Sequence, residues 1–142
     1  MWAMRFGEDI REPGAAIQGP KVMLINETAG SGGDMLPWMF RKLRVGTLVG
    51  KRTWGGLVGF LDMFLLMDGS QMTSPNVAIW ADGRWVVENE GVPPDVEVEQ
   101  WPAEVIAGKD PQLEKAIEIV LSELAKHPPQ RPQRPKYPLR AK

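Results

Sequence analysis

Residues 27–34, ETAGSGGD, decide the fold, because they join an apolar run at 21–26 (KVMLIN) to a helical pattern at 34–43. The run is bounded by Gly19-Pro20 on one side and by the cluster of small residues on the other, which predicts a buried strand entering a tight loop. From Asp34 onward Met35, Leu36, Met39, Phe40 and Leu43 recur at helical spacing. Pro37 falls in the first turn of the helix so placed, where a missing N–H costs nothing. Strand, glycine-rich loop and helix in that order are an α/β signature.

Working outward, 46–50 (GTLVG) reads as a second short strand, parallel to the first if the helix makes a crossover. After Gly55-Gly56 the pattern changes to hairpins. Residues 57–67 form an apolar, strand-like run, Asp68-Gly69-Ser70 a turn, and 71–80 the return. Asp82-Gly83 makes a second tight turn before a strand at 84–88, and Val96 and Val98 alternate with Glu97 and Glu99 as in a half-exposed strand. The last element is a helix with Asp110 as its cap and Pro111 at its first position. Leu113, Ala116, Ile117, Val120, Leu121 and Leu124 form the stripe that docks it on the sheet. The expected fold is α/β: a short parallel sheet with β-hairpins and a C-terminal docking helix.

The 142 residues fit a single domain. An arm over 1–19 shows no period, the core domain runs over 20–126, and an extended Pro/Arg-rich tail covers 127–142. Apolar residues make up 43% and charged residues 25%, the balance of a packed globular domain. Seventeen basic and eighteen acidic side chains give no overall electrostatic case for nucleic acid. The tail holds five of the basic residues and no acid, leaving the first 126 residues with 12 basic against 18 acidic; it is expected to hug that acidic body. No stretch approaches the ~18 apolar residues of a membrane span, and the N-terminus lacks a signal-peptide pattern, so a soluble, cytoplasmic protein is expected. Cysteine is absent, which removes thiolate nucleophiles and Cys-based zinc sites, and no acidic or histidine cluster has ligand spacing. Neither metal nor cofactor is expected. Most of the six tryptophans and eight methionines are assigned to core packing.

Three chemistries compete for the 27–34 loop. A dinucleotide loop needs a third glycine where Met35 stands, and a phosphate loop needs a Gly-Lys-Ser/Thr run that is not there. The third makes Ser31 a nucleophile, with the N–H of Gly32 stabilising the oxyanion formed when a carbonyl is attacked. A serine in such a turn is otherwise a turn former or a cap. As a nucleophile it requires a base, and the one histidine, His127, lies in the proline-rich tail.

Residues 19–27 (GPKVMLINE), 29–34 (AGSGGD), 48–56 (LVGKRTWGG) and 88–95 (ENEGVPPD), in that order, resemble the carboxy-terminal catalytic domain of tricorn-type serine peptidases. These belong with the carboxy-terminal processing peptidases. The resemblance covers about residues 19–126 and implies the second half of a crotonase-like core. It implies Ser31 as nucleophile, the Gly32 N–H as one oxyanion donor, and Glu88 as the glutamate that holds a histidine base through an intervening serine. Glu90 competes for the last role, since a two-residue shift along a strand keeps the same face.

Processing peptidases of the Ser–Lys type carry a lysine 25 positions after the serine; here that position is Gly56, which points to the histidine-using branch. Gly32 also stands where the tricorn type has an aspartate favouring basic substrate side chains, so that preference is not implied. In the family the histidine, a PDZ-like domain and a further oxyanion loop precede the matched region. The expectation is therefore the nucleophile-bearing half of a peptide-cleaving serine endopeptidase, inactive alone. Its partners would be a peptide substrate and either a second copy or an N-terminal catalytic segment, with no nucleic acid and no membrane. The alternative is a non-catalytic remnant serving as a self-associating or protein-binding module.

Overall fold

A computed structural model describes residues 1–129 and 132–137. In chain order the elements are β1 (Val22–Ile25), α1 (Gly32–Lys42), β2 (Thr47–Gly50), β3 (Met63–Leu65), β4 (Gln71–Thr73), β5 (Trp80–Ala81), β6 (Arg84–Trp85), β7 (Val96–Glu97), α2 (Pro102–Ile106) and α3 (Pro111–Lys126). The expected α/β architecture is present. A parallel sheet in the order β1-β2-β7 is joined by the α1 crossover, and two small antiparallel hairpins, β3–β4 and β5–β6, stand apart from it.

The register aligns Val22 with Thr47 and Ile25 with Gly50, so the first two strands end together at one edge, where the 27–34 loop emerges. Ile25 and Leu48 lie in one core with Leu57, Val86, Val87 and Val92, against which Met35, Trp38 and Phe40 of α1 pack. Val49, fully buried and next to Leu48, points to the opposite face by strand alternation, the face left for α3.

Helix α3 begins as its sequence dictates. Asp110 accepts a hydrogen bond from the Leu113 N–H at 3.0 Å, satisfying one of the orphan donors of the first turn, and Pro111 occupies the first helical position. The same carboxylate accepts from the Gln100 amide at 3.2 Å, tying the cap to the segment after β7. Asp110→Ala is expected to lower stability by about 1 kcal/mol, read as a shifted urea midpoint at unchanged slope. The docking stripe is narrower than its periodicity implies: Ala116, Val120 and Leu124 turn inward, while Leu113, Ile117 and Leu121 are exposed.

Several expectations need correction. Helix α1 starts two residues earlier than its apolar spacing indicates, so Pro37 lies inside the helix, past its first turn. The bond it forfeits is the one to the Gly33 carbonyl, and the steric clash of its ring falls on a glycine. The 57–67 run is strand only over β3, whose three side chains are all exposed, and the 84–88 strand ends at Trp85. Five of the six tryptophans (2, 54, 80, 85 and 101) are largely exposed, so they are surface and not core. Helix α2 was not expected.

In the arm, Trp2 and Ile10 form an antiparallel bridge. The tail lies partly outside the described residues. Its described residues, 127–129 and 132–137, form no regular element, and Arg134 donates to the Met4 carbonyl at 3.1 Å and pairs with Asp9 at 3.6 Å. No helix among the described residues is long and apolar enough to cross a membrane.

Candidate active site

The turn after β1 is wound by Asn26, whose side-chain oxygen accepts from the Thr28 N–H at 3.2 Å and its hydroxyl at 2.8 Å, while its carbonyl accepts from the Ala29 N–H. Ser31 then occupies the cap position of α1, but with φ 53° and ψ −109°, a left-handed conformation that strains any residue with a Cβ. A serine caps a helix from the β region with its hydroxyl bonded to the first turn. Ser31 makes no such bond and is exposed, so the strained backbone leaves its hydroxyl free.

That hydroxyl belongs to a cavity of about 590 Å³ whose lining includes Ser31, Trp54, Gly56, Val58, Phe60 and Glu88. The next residue, Gly32, opens the helix. Its N–H donates to no acceptor among the described residues and sits where the helix dipole favours negative charge.

The opposite wall is the loop after β2, anchored at four places. Lys51 bonds Glu97 at 2.7 Å and Glu99 at 2.8 Å. Those hydrogen bonds raise the lysine's pKa, and the bond to Lys51 lowers that of Glu99. Arg52 donates to the carbonyls of Thr53 and Glu90, both at 2.9 Å. Thr53, fully buried, exchanges hydrogen bonds with Val92 through its N–H and its hydroxyl. Trp54 donates its N–H to the Ala29 carbonyl at 2.9 Å. A Cβ on Gly56 would lie 2.8 Å from the Trp54 ring, which closes this position to a lysine side chain unless the indole moves.

The third component is the turn after β6. Val87 has φ 71°, rare for a β-branched residue, and the Glu88 N–H bonds the Val86 carbonyl across it in a γ-turn. This aims Glu88 into the cavity, where one carboxylate oxygen accepts from the N–H groups of Leu57 at 2.6 Å and Val58 at 2.7 Å. Residues 88–90 form a turn and not a strand, so the same-face argument for Glu90 fails. Glu90 lines a different cleft, with Trp38, Arg41 and Arg84. The fold thus brings Ser31, Gly32 and Glu88 to one place and leaves Glu90 outside it.

Asp34 was not singled out by sequence. Fully buried in the first turn of α1, its carboxylate accepts from the Gly55 N–H at 2.9 Å and the Gly56 N–H at 3.0 Å. Both amides are therefore taken and cannot serve an oxyanion. The available signal was Ser31-x-x-Asp34, the spacing of a capping box, but here the acid reaches across to another loop.

His127, the one histidine, ends α3 and does not line the cavity. Among the described residues no group of three His, Cys, Asp or Glu side chains could hold a metal ion. The site thus offers an exposed hydroxyl, one helix-start amide and a carboxylate held by two amides.

Comparison with known proteins follows the same lines. Residues 4–98 match peptidase family S41. The chain is 44% identical over 124 residues to the tricorn protease of Thermoplasma acidophilum, covering 87% of this chain and 12% of that protein. It is 45% identical over 121 residues to tricorn protease homolog 1 of Streptomyces coelicolor, covering 84% and 11%. A crystal structure of the tricorn protease superposes with a TM-score of 0.78 at 42% identity, over 86% of this chain and 12% of that one. The chain spans about an eighth of the length of these relatives.

Proposed function

The chain belongs to peptidase family S41, and from that premise we propose that it is the nucleophile-bearing half of a tricorn-like serine endopeptidase, the second half of a crotonase-like core. The observation that carries this reading is Ser31, held at φ 53° with its hydroxyl uncapped, beside the free Gly32 amide and in one cavity with Glu88. Ser31 Oγ attacks the peptide carbonyl carbon and loses its proton to a base. The Gly32 N–H holds the oxyanion. Collapse breaks the C–N bond, the amine leaves with that proton, and water then hydrolyses the acyl ester. Glu88 orients the base from a distance, with one oxygen fixed by Leu57 and Val58 and the other left for the group it positions.

The base comes from another segment, since His127 lies at the far end of α3. Alone, the chain is expected to leave peptides uncut and to react slowly, if at all, with a fluorophosphonate. Mixed with the amino-terminal half of a tricorn relative, it should cleave peptides. Rapid fluorophosphonate labelling of Ser31 in the isolated chain would overturn the first expectation. A well-mixed pair that cleaves nothing would favour the second reading, a self-associating or protein-binding module. The exposed apolar side chains of the β3–β4 hairpin, Met63, Phe64, Leu65 and Met72, are what recommend that one.

A further inference from the structure

Between the Ser31 turn and the Glu88 turn there is no direct backbone bond among the described residues. Both are fastened to the dipeptide Gly55-Gly56. The Gly56 carbonyl accepts from the Ser31 N–H at 3.0 Å, and the Gly55 carbonyl accepts from the Asn89 N–H at 2.7 Å, one residue beyond Glu88. The two residues that follow, Leu57 and Val58, hold the Glu88 carboxylate. A dipeptide of two glycines has no side chain with which to fix its own orientation. Its two amides are held by Asp34, whose two oxygens take them separately, at 2.9 and 3.0 Å, inside the protein and three residues along the helix from the nucleophile; the flanking Trp54 N–H bonds the Ala29 carbonyl and Arg52 the Glu90 carbonyl.

We propose that Asp34 is the positioning residue of this site: a buried carboxylate that clamps Gly55-Gly56 and thereby sets the nucleophile turn and the glutamate turn at one spacing. The chemistry of the group supports this assignment. A carboxylate is an acceptor on both oxygens, whereas an asparagine of the same shape offers one acceptor and confronts the second amide with its own NH2. Removing one acceptor leaves a buried N–H without a partner. The position at the start of α1 also suits a negative charge. Asp34 touches neither substrate nor reacting atom. It acts through four backbone hydrogen bonds, two that it accepts and two that Gly55-Gly56 accept in turn.

The test compares amide hydrogen exchange in the whole chain with that in Asp34→Asn. Exchange at Gly55 and Gly56 should rise at least about tenfold, the equivalent of losing a charge-assisted hydrogen bond. Ser31, Asn89, Leu57 and Val58 should follow, while Leu48 and Val49 in the sheet stay protected. Loss of protection confined to Gly55 and Gly56 would overturn the proposal, because the two turns would then be fixed independently. Should Asp34→Asn lose its sheet protection as well, Asp34→Glu replaces it; that variant keeps the charge but displaces it by a methylene, and the same pattern and the same overturning result apply. A second measurement rests on the proposed peptidase reading. In the mixed, active enzyme Asp34→Asn should lower kcat about 100-fold with KM within about threefold, the signature of misplaced groups and not of weakened binding. Unchanged kcat in an active mixture would overturn the proposal. A wild-type mixture with no activity would instead count against the peptidase reading, and the exchange pattern would still decide the role of Asp34.

Discussion

Ser31→Ala is expected to lower kcat of the mixed, active enzyme by about four to six powers of ten while leaving the fold intact, the range found when a serine nucleophile is removed from a triad. The hydroxyl makes no capping bond and the residue is exposed, so its removal breaks nothing that holds the structure together. A companion substitution separates function from strain. Ser31→Gly should be equally inactive but no less stable than the natural chain, because glycine accepts φ 53° and ψ −109° without penalty. The relief of about 1–2 kcal/mol of backbone strain offsets the roughly 0.5–1 kcal/mol that glycine adds in unfolded-chain entropy. Measured by urea unfolding, a Ser31→Gly chain clearly less stable than Ser31→Ala would contradict the strained-turn account. Cleavage retained by either variant would place the nucleophile elsewhere.

How much of this was legible beforehand follows the distance over which each feature is determined. The β1–loop–α1 unit, the second parallel strand and the Asp110-capped helix depend on residues within a few positions of one another, and periodicity with capping chemistry was enough to find them. The site's clamps depend on distant partners. Asp34 looks like an ordinary first-turn acid until the loop 21 residues later closes over it. Glu88 reads as the end of a strand, since nothing local announces that Val87 adopts φ 71°; that conformation is tolerated because Val87 is buried in the core and its carbonyl is taken by the N–H groups of Glu90 and Gly91. The 57–67 run failed differently. Its apolar composition implies burial, yet the side chains of Leu61, Phe64, Leu65 and Met67 are exposed, so hydrophobicity reported a surface without a partner among the described residues.

Gly55→Ala is expected to be strongly destabilising, at roughly 2–5 kcal/mol. The first contribution is conformational: φ is 90°, and placing a Cβ in that region costs about 1–2 kcal/mol. The second is steric. A Cβ there would lie 2.7 Å from the Gly91 nitrogen, 3.2 Å from the Glu90 nitrogen and 3.3 Å from the Asn89 carbonyl carbon. All three are backbone atoms of the turn that carries Glu88, so no side chain can swing aside, and overpacking of this kind adds about 1–3 kcal/mol. Gly69 supplies the control. Its φ is 83°, but nothing lies within 4 Å of the Cβ it would gain, so Gly69→Ala should show the conformational cost alone. The difference between the two urea midpoints therefore isolates the contact between the loop after β2 and the Glu88 turn. Equal losses in the two variants would mean that the Glu88 turn is free to move away, and that Gly55-Gly56 cannot be what sets its distance from Ser31.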